Sequence, residues 1–144
     1  MRQHQDSGFV NVEVTQVGFA DDTGAEGLIW MKSQDMRMFA MRAFSGEVAL
    51  QMKRFIGGDR SSVPSVYNIV EELAERDGLH LAGVLVYPAG EALRADMQFI
   101  GKGKDLLLRG YRASDSVAMA LFYDAPIMLQ STLLQAERTE DHEP

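Results

Sequence analysis

Apolar and polar residues alternate with a period of two in the first part of the chain. Within residues 9–17, the valines at positions 10, 12 and 14 alternate with polar side chains, which is typical of a strand with one buried face. Two more apolar runs follow at 27–31 and 36–44, separated by the polar stretch 32–35. The chain is therefore predicted to begin with a three-stranded meander.

The period changes near residue 47, and two helices are predicted. Apolar residues first recur on one helical face up to the glycine pair 57–58, which ends the helix; they are Val48, Met52, Phe55 and Ile56. A second helix is predicted after Pro64, with Ser65 as its N-cap. Its predicted buried stripe consists of Val66, Ile69, Val70 and Leu73.

Three further strands are predicted at 80–87, 93–99 and 105–111, which form a second antiparallel meander. The connection at 101–104 reads Gly-Lys-Gly-Lys. A Walker phosphate loop needs GxxxxGK followed by Ser or Thr and then a helix, whereas here an aspartate and a strand follow. This segment is therefore predicted to be a hairpin turn.

The last third of the chain contains a helix that is apolar on nearly every side, at 113–123, with Ser114 placed to cap it. A short strand at 127–129 and a final helix starting at Ser131 or Thr132 complete the predicted elements. Their order indicates an α+β fold: a single domain with a mostly antiparallel mixed sheet of six to seven strands, and three to four helices packed on it.

Composition supports one domain, and much of the net negative charge lies in the C-terminal tail. The chain has 144 residues, of which 46% are hydrophobic, so residues 9–136 are predicted to form one domain between a flexible tail at 1–8 and an acidic tail at 137–144. The C-terminal tail holds four acids and one arginine, which is −3 of the total net charge of −7. Any contact with nucleic acid must therefore be local.

Several classes of protein are excluded by residue usage. With no cysteine, there can be no disulfide scaffold, zinc ribbon, iron–sulfur site or thiol nucleophile. No uncharged run approaches the roughly 20 residues of a membrane helix, so no membrane contact is expected. Residues 1–7 lack the apolar segment of a secretory signal, and a cytoplasmic location is the expectation.

A motif near the end of the chain carries a resemblance. The run Arg-Ala-Ser-Asp at 112–115 opens an Ala- and Leu-rich helix, and Ala-Pro-Ile follows at 125–127. This order resembles the bifunctional nuclease family, whose domains cleave DNA and RNA. The resemblance covers roughly residues 9–136 and includes the Gly-Glu helix start at 46–49 and the position of Pro64 before the second helix.

The resemblance implies a metal-dependent phosphodiesterase. Asp115 and Glu47 would hold Mg²⁺ or Mn²⁺, and Arg112 would stabilise charge on the phosphate. Each residue also has a structural interpretation. Asp115 would complement a helix dipole, Arg112 would pair with Asp115 or Glu47, Glu47 would begin a helix and Ser114 would cap one.

The chain departs from the family pattern at several positions. It has Val66, Tyr67 and Asn68 where the family tends to have Thr-His-Asp, and Gly110 and Ala113 where the family has an acid and a proline. A histidine and two carboxylates are thus replaced, and these are the groups most useful for acid–base catalysis and metal binding.

Basic residues near the motif form the predicted contact with DNA or RNA. They are Lys102, Lys104, Arg109 and Arg112.

Two functions from different classes follow. The first is a nuclease that hydrolyses DNA or RNA with Mg²⁺ or Mn²⁺. The alternative is a catalytically impaired family member that acts as a homo-oligomeric binding or scaffold protein, with a dimer as the first expectation. A Met-rich region around Trp30 is interpreted as core filling or as an adaptable subunit interface; its methionines include Met31, Met36, Met38, Met41 and Met52.

Overall fold

The computed structural model describes residues 8–135, so both predicted tails lie almost entirely outside the described residues. Within that range, seven strands, three α-helices and one 3₁₀ turn follow one another. They are β1 (Phe9–Phe19), β2 (Glu26–Ser33), β3 (Met38–Ser45), α1 (Gly46–Ile56), α2 (Val66–Glu75), β4 (His80–Ala89), β5 (Ala92–Gly101), β6 (Lys104–Arg112), α3 (Ala113–Tyr123), β7 (Ile127–Gln130) and the 3₁₀ turn Ser131–Leu133.

All seven strands form one sheet in the order β3-β2-β1-β7-β4-β5-β6. Each neighbouring pair is antiparallel except β4 and β7, which run parallel. The two predicted meanders are β1-β2-β3 and β4-β5-β6, and the short strand β7 lies between them. The predicted fold class, a single α+β domain with a mostly antiparallel mixed sheet, is confirmed.

The core lies between the sheet and a layer formed by α1 and α3. α1 packs on β1 and β2, α3 packs on β4 and β5, and the two helices contact one another. In β5 the predicted alternation places Ala95, Met97 and Phe99 in this core, and α3 is buried along most of its length as predicted. Core residues with almost no exposed surface include Ile29, Met31, Val84, Val86, Val117 and Leu129.

Of the four residues in the predicted buried stripe of α2, Val70 packs against the core and the other three are exposed. Val66, Ile69 and Leu73 are 59%, 56% and 62% exposed, and the buried residue of this helix is Tyr67. Successive residues lie about 100° apart around a helix, so the inward face is rotated by one position from the predicted one. The Tyr67 ring buries more apolar area than a valine and packs edge-on against Phe55, with ring centroids 5.1 Å apart.

The predicted C-terminal helix is also wrong, because the chain makes only the 3₁₀ turn Ser131–Leu133. The backbone then returns to the sheet edge, where Gln135 and Met38 exchange two hydrogen bonds of 2.9 Å. These sheet contacts take the backbone groups that a longer helix would need.

Core filling is confirmed for three of the methionines, and the subunit interface stays a prediction. Met31, Met41 and Met52 are core residues, whereas Met36 is 51% exposed. No helix in residues 8–135 combines the length and the hydropathy required to cross a membrane.

Candidate functional site

β6 runs into α3 without an intervening loop, and this determines how the helix begins. Arg112 is both the last residue of β6 and the N-cap residue of α3, and no side chain accepts a hydrogen bond at this cap. The predicted N-cap Ser114 is wrong, because Ser114 lies inside the first turn and is buried. The first backbone N–H groups of α3 therefore have no side-chain acceptor.

Arg112 forms an ion pair with Asp115, one of the interpretations that the sequence left open. Arg112 Nε lies 3.6 Å from Asp115 Oδ2, and the two side chains are 63% and 51% exposed. An exposed pair of this kind contributes about 0–1 kcal/mol, because water screens both charges. Either side chain is therefore available to a ligand at small cost.

A groove of about 550 Å³ opens beside this pair. It lies between the end of β3, the β4–β5 turn and the start of α3. Three arginines and one acid line it: Arg42, Arg94, Arg112 and Glu91. Of these residues, Arg112 alone was predicted as a site residue, because Arg42 and Glu91–Arg94 come from elements that are remote in the chain.

Two of the groove arginines face each other across neighbouring strands. Arg94 of β5 is the register partner of Arg112 of β6. Like charges directly opposite one another in a sheet are destabilising, and an anion between them removes the repulsion. Arg42 forms an ion pair with Glu26, in which Arg42 Nε lies 3.5 Å from Glu26 Oε2. Arg94 has no ion pair among the described residues. The groove therefore has the charge of an anion site.

Three of the positions at which the chain departs from the family pattern, Tyr67, Asn68 and Gly110, have structural roles. Asn68 completes a capping box at the start of α2: its Oδ1 accepts from the Ser65 N–H at 2.9 Å, and its Nδ2 donates to the Arg60 carbonyl at 3.0 Å. Tyr67 fills the core beside Phe55. Burial raises the pKa of Tyr67 to about 12, and the nearby Asp115 charge contributes in the same direction.

Gly110 occupies a bulge of β6, where Arg109 and Gly110 together lie opposite Asp96 of β5. Its φ of 75° is in the left-handed region that glycine adopts without strain. Asp96 Oδ1 accepts the Gly110 N–H at 3.0 Å and the Tyr87 hydroxyl at 2.7 Å. The hydrogen bond from the Tyr87 hydroxyl to Asp96 raises the pKa of Tyr87.

The predicted metal ligands do not lie in a cluster of acids. Glu47 is in the first turn of α1 and is exposed, and its N–H donates to Ser45 Oγ at 3.0 Å. Across residues 8–135, no group of three or more His, Asp or Glu side chains could hold a metal ion. The charged group beside Asp115 is the Arg112 guanidinium, which would repel a divalent cation. Mg²⁺ or Mn²⁺ at Asp115 and Glu47 stays a prediction of the resemblance.

The predicted basic group is spread along β6 rather than gathered. The hairpin turn is confirmed and places Lys102 and Lys104 at one end of β6, with Arg112 at the other. At about 3.3 Å per residue, the backbone of Lys104 is roughly 26 Å from that of Arg112. Arg109 is exposed between them. Of this group, only Arg112 lines the groove.

Comparison with protein-family models finds no match to this chain, and comparison with curated proteins finds none either. The function must therefore be inferred from the groove and from the motif at 112–115.

The buried Tyr67 hydroxyl predicts an alkaline loss of stability. Its pKa is about 12 in the folded chain and 10.0 in its ordinary state, so only the unfolded chain releases this proton between these values. The stabilisation that results from this difference in pKa is complete below pH 10. As the pH rises towards 12 it is lost, and the free energy of unfolding falls by up to about 2 kcal/mol. Urea unfolding at a series of alkaline pH values should show a smaller loss in Tyr67→Phe.

The matched control is Tyr111→Phe, since Tyr111 is half exposed. It should keep the wild-type pH dependence. Tyr123, whose pKa burial also raises to about 12, and Tyr87, whose pKa the hydrogen bond to Asp96 raises, contribute to the loss that remains in Tyr67→Phe. Identical alkaline profiles for Tyr67→Phe and wild type would contradict the burial of this hydroxyl.

Proposed function

We propose that the protein binds the phosphate backbone of DNA or RNA in the groove lined by Arg42, Arg94 and Arg112. The observation that carries the proposal is the direct opposition of Arg94 and Arg112 beside a helix start that no side chain caps. Two guanidinium groups in register are unfavourable without an anion between them.

The chemistry of the groove suits phosphate in particular. A guanidinium group donates two parallel hydrogen bonds to phosphate oxygens, which a lysine cannot do. The free N–H groups at the start of α3 add donors, and the helix dipole favours negative charge at that end. Glu91 makes part of the rim acidic, so binding depends on the arginines rather than on a uniformly positive surface.

Nuclease activity is the finer form of the proposal and comes from the resemblance. A phosphodiester held by Arg112 would lie beside Asp115, which is the remaining acid of the family motif. The alternative, binding with impaired hydrolysis, is favoured by one observation. Tyr67 and Asn68 serve packing and capping, at positions where the family has acid–base groups.

Arg94→Gln and Arg112→Gln should each weaken the binding of single-stranded DNA and RNA oligonucleotides, measured by fluorescence anisotropy over a salt series. Each lost phosphate contact should reduce the slope of log K against log salt by about 0.7. Removing both arginines should therefore reduce the slope by about 1.4. Since both side chains reach solvent, the variants should remain folded.

Two matched controls define the site. Arg76→Gln removes an exposed arginine at the end of α2, and Lys102→Gln removes a charge at the far end of β6. Both should bind like the wild type. Binding that falls equally in Arg94→Gln and Arg76→Gln would exclude the groove as the site.

Incubating the same oligonucleotides with Mg²⁺ or Mn²⁺ separates binding from hydrolysis. Cleavage that disappears in Asp115→Asn would support the nuclease. Binding with equal absence of cleavage in wild type and Asp115→Asn would support the impaired binding protein.

A further inference from the structure

β6 is an edge of the sheet with an unusually apolar exposed surface. It pairs with β5 on one side, and no described strand pairs with its other side. Leu106 and Leu107 are 44% and 45% exposed, and nearly every other residue of β6 is exposed as well. The unpaired backbone groups and apolar side chains of such an edge form a template for another strand.

We propose that β6 pairs with β6 of a second copy of this chain, antiparallel about a two-fold axis at Leu107. The two sheets would then be continuous across the dimer. This inference does not rest on nucleic-acid binding, because its argument uses only the segment Asp105–Arg109 and the edge position of β6. A two-fold axis makes the interface self-complementary, so every contact occurs twice.

Charge complementarity selects the second copy as the occupant. With the axis at Leu107, Asp105 lies directly opposite the partner's Arg109, and Arg109 lies opposite the partner's Asp105. Opposite charges facing each other across an antiparallel pair stabilise it. Neither side chain has an ion pair within the described residues, so both are available for the contact.

The apolar side chains match in the same register. Leu106 and Leu108 lie opposite the buried Phe99 and Met97 of β5, so they are on the core face of the sheet. In the dimer, Leu106 lies opposite the partner's Leu108 on that face. Leu107 meets its own copy on the other face, between the two charge pairs. Both faces of the junction therefore gain apolar cross-strand pairs.

Neighbouring registers lose this match. An axis at Leu106 places Asp105 opposite a leucine, and an axis at Leu108 places Arg109 opposite a leucine. Directly opposed residues must share a face, so an axis between residues is not allowed. The bulge at Gly110 ends the regular edge, which limits the pairing to Asp105–Arg109.

A charge exchange tests the proposal by sedimentation velocity over a concentration series. Asp105→Arg and Arg109→Asp each place two like-charge pairs across the axis, and each should weaken the dimer by about tenfold or more. Mixed in equal amounts, the two variants restore both opposite-charge pairs and should form a heterodimer. The double variant should recover self-association.

A matched pair of leucine variants controls for added charge. Leu107→Lys should dissociate the dimer, whereas Leu50→Lys, at a 53% exposed leucine of α1, should not. Circular dichroism checks that each variant is folded. A wild-type chain that is monomeric at every concentration would overturn the proposal, as would a dimer that neither single charge reversal weakens.

Discussion

Phe122→Ala is expected to lower the free energy of unfolding by about 3–5 kcal/mol, the usual cost of removing a buried aromatic ring. Phe122 is 1% exposed at the end of α3. Its ring centroid lies 5.2 Å from that of Phe55 in α1 and 6.1 Å from that of Tyr67 in α2. The Phe122 ring thus packs against aromatic rings of both other helices.

The same residue anchors the loop before α2. The Arg60 guanidinium lies 4.3 Å from the Phe122 ring centroid, and Arg60 Nε donates to the Phe122 carbonyl at 2.7 Å. Loss of the ring removes the cation–π contact as well as the packing. We therefore expect the backbone amides of α2 to exchange with solvent faster than those of the other helices in the variant. Amide hydrogen exchange resolved by residue can measure this.

Urea unfolding of Phe122→Ala and Leu50→Ala provides the measurement and its control. Leu50 is 53% exposed on α1, and its truncation should change the free energy of unfolding by no more than about 0.5 kcal/mol. A loss below 1 kcal/mol in Phe122→Ala would mean that the aromatic cluster does not join the helices.

Gly46→Ala is expected to destabilise the fold by about 3 kcal/mol, near the upper end of the usual cost of overpacking. A Cβ on Gly46 would lie 1.8 Å from the Gly24 carbonyl oxygen, which is backbone and cannot rotate away. The Gly46 N–H also donates to the Ala25 carbonyl at 2.9 Å, so the start of α1 is held against the β1–β2 turn. The substitution must displace one of these two segments.

Gly18→Ala is the matched control, because Gly18 has ordinary strand geometry and no atom within 4 Å of an added Cβ. Its melting temperature should equal or slightly exceed that of the wild type, since alanine has less backbone freedom to lose. Equal melting temperatures for Gly46→Ala and Gly18→Ala would rule out the close approach at Gly46. The steric role of Gly46 accounts for a glycine that the sequence marked only through the resemblance.

The strands could be predicted because their signal is local. Alternation in β1 and β5 depends on neighbours two residues apart, and the sheet preserves it. The inward face of α2 could not be predicted in this way. Val66 and Tyr67 are both apolar enough to face the core, and the choice between them depends on Phe55 and Phe122, which are remote in the chain.

The candidate site likewise contains residues that local sequence marks and residues that only the fold brings together. Arg112 and Asp115 are three residues apart on a helix start, so their ion pair was among the predicted alternatives. Arg42 and Arg94 join Arg112 only through the folded sheet, and nothing local marks them. The predicted cap at Ser114 is wrong because α3 begins directly after β6, so the N-cap position falls on Arg112, whose guanidinium cannot accept a hydrogen bond.

The position of β7 has a consequence for how the chain is made. β1 and β4 do not pair with each other; within residues 8–135, β7 (Ile127–Gln130) lies between them, and the Pro126 carbonyl beside it accepts the Val84 N–H at 3.1 Å. During synthesis from the N-terminus, we therefore expect the two meanders to join into one sheet only after β7, the last of the described strands, has left the ribosome. Closing it requires contacts between residues more than 100 positions apart, such as Val12 with Ile127. Because pairing between distant residues must first overcome loop-closure entropy, we expect completion of the sheet to be slower than formation of either meander.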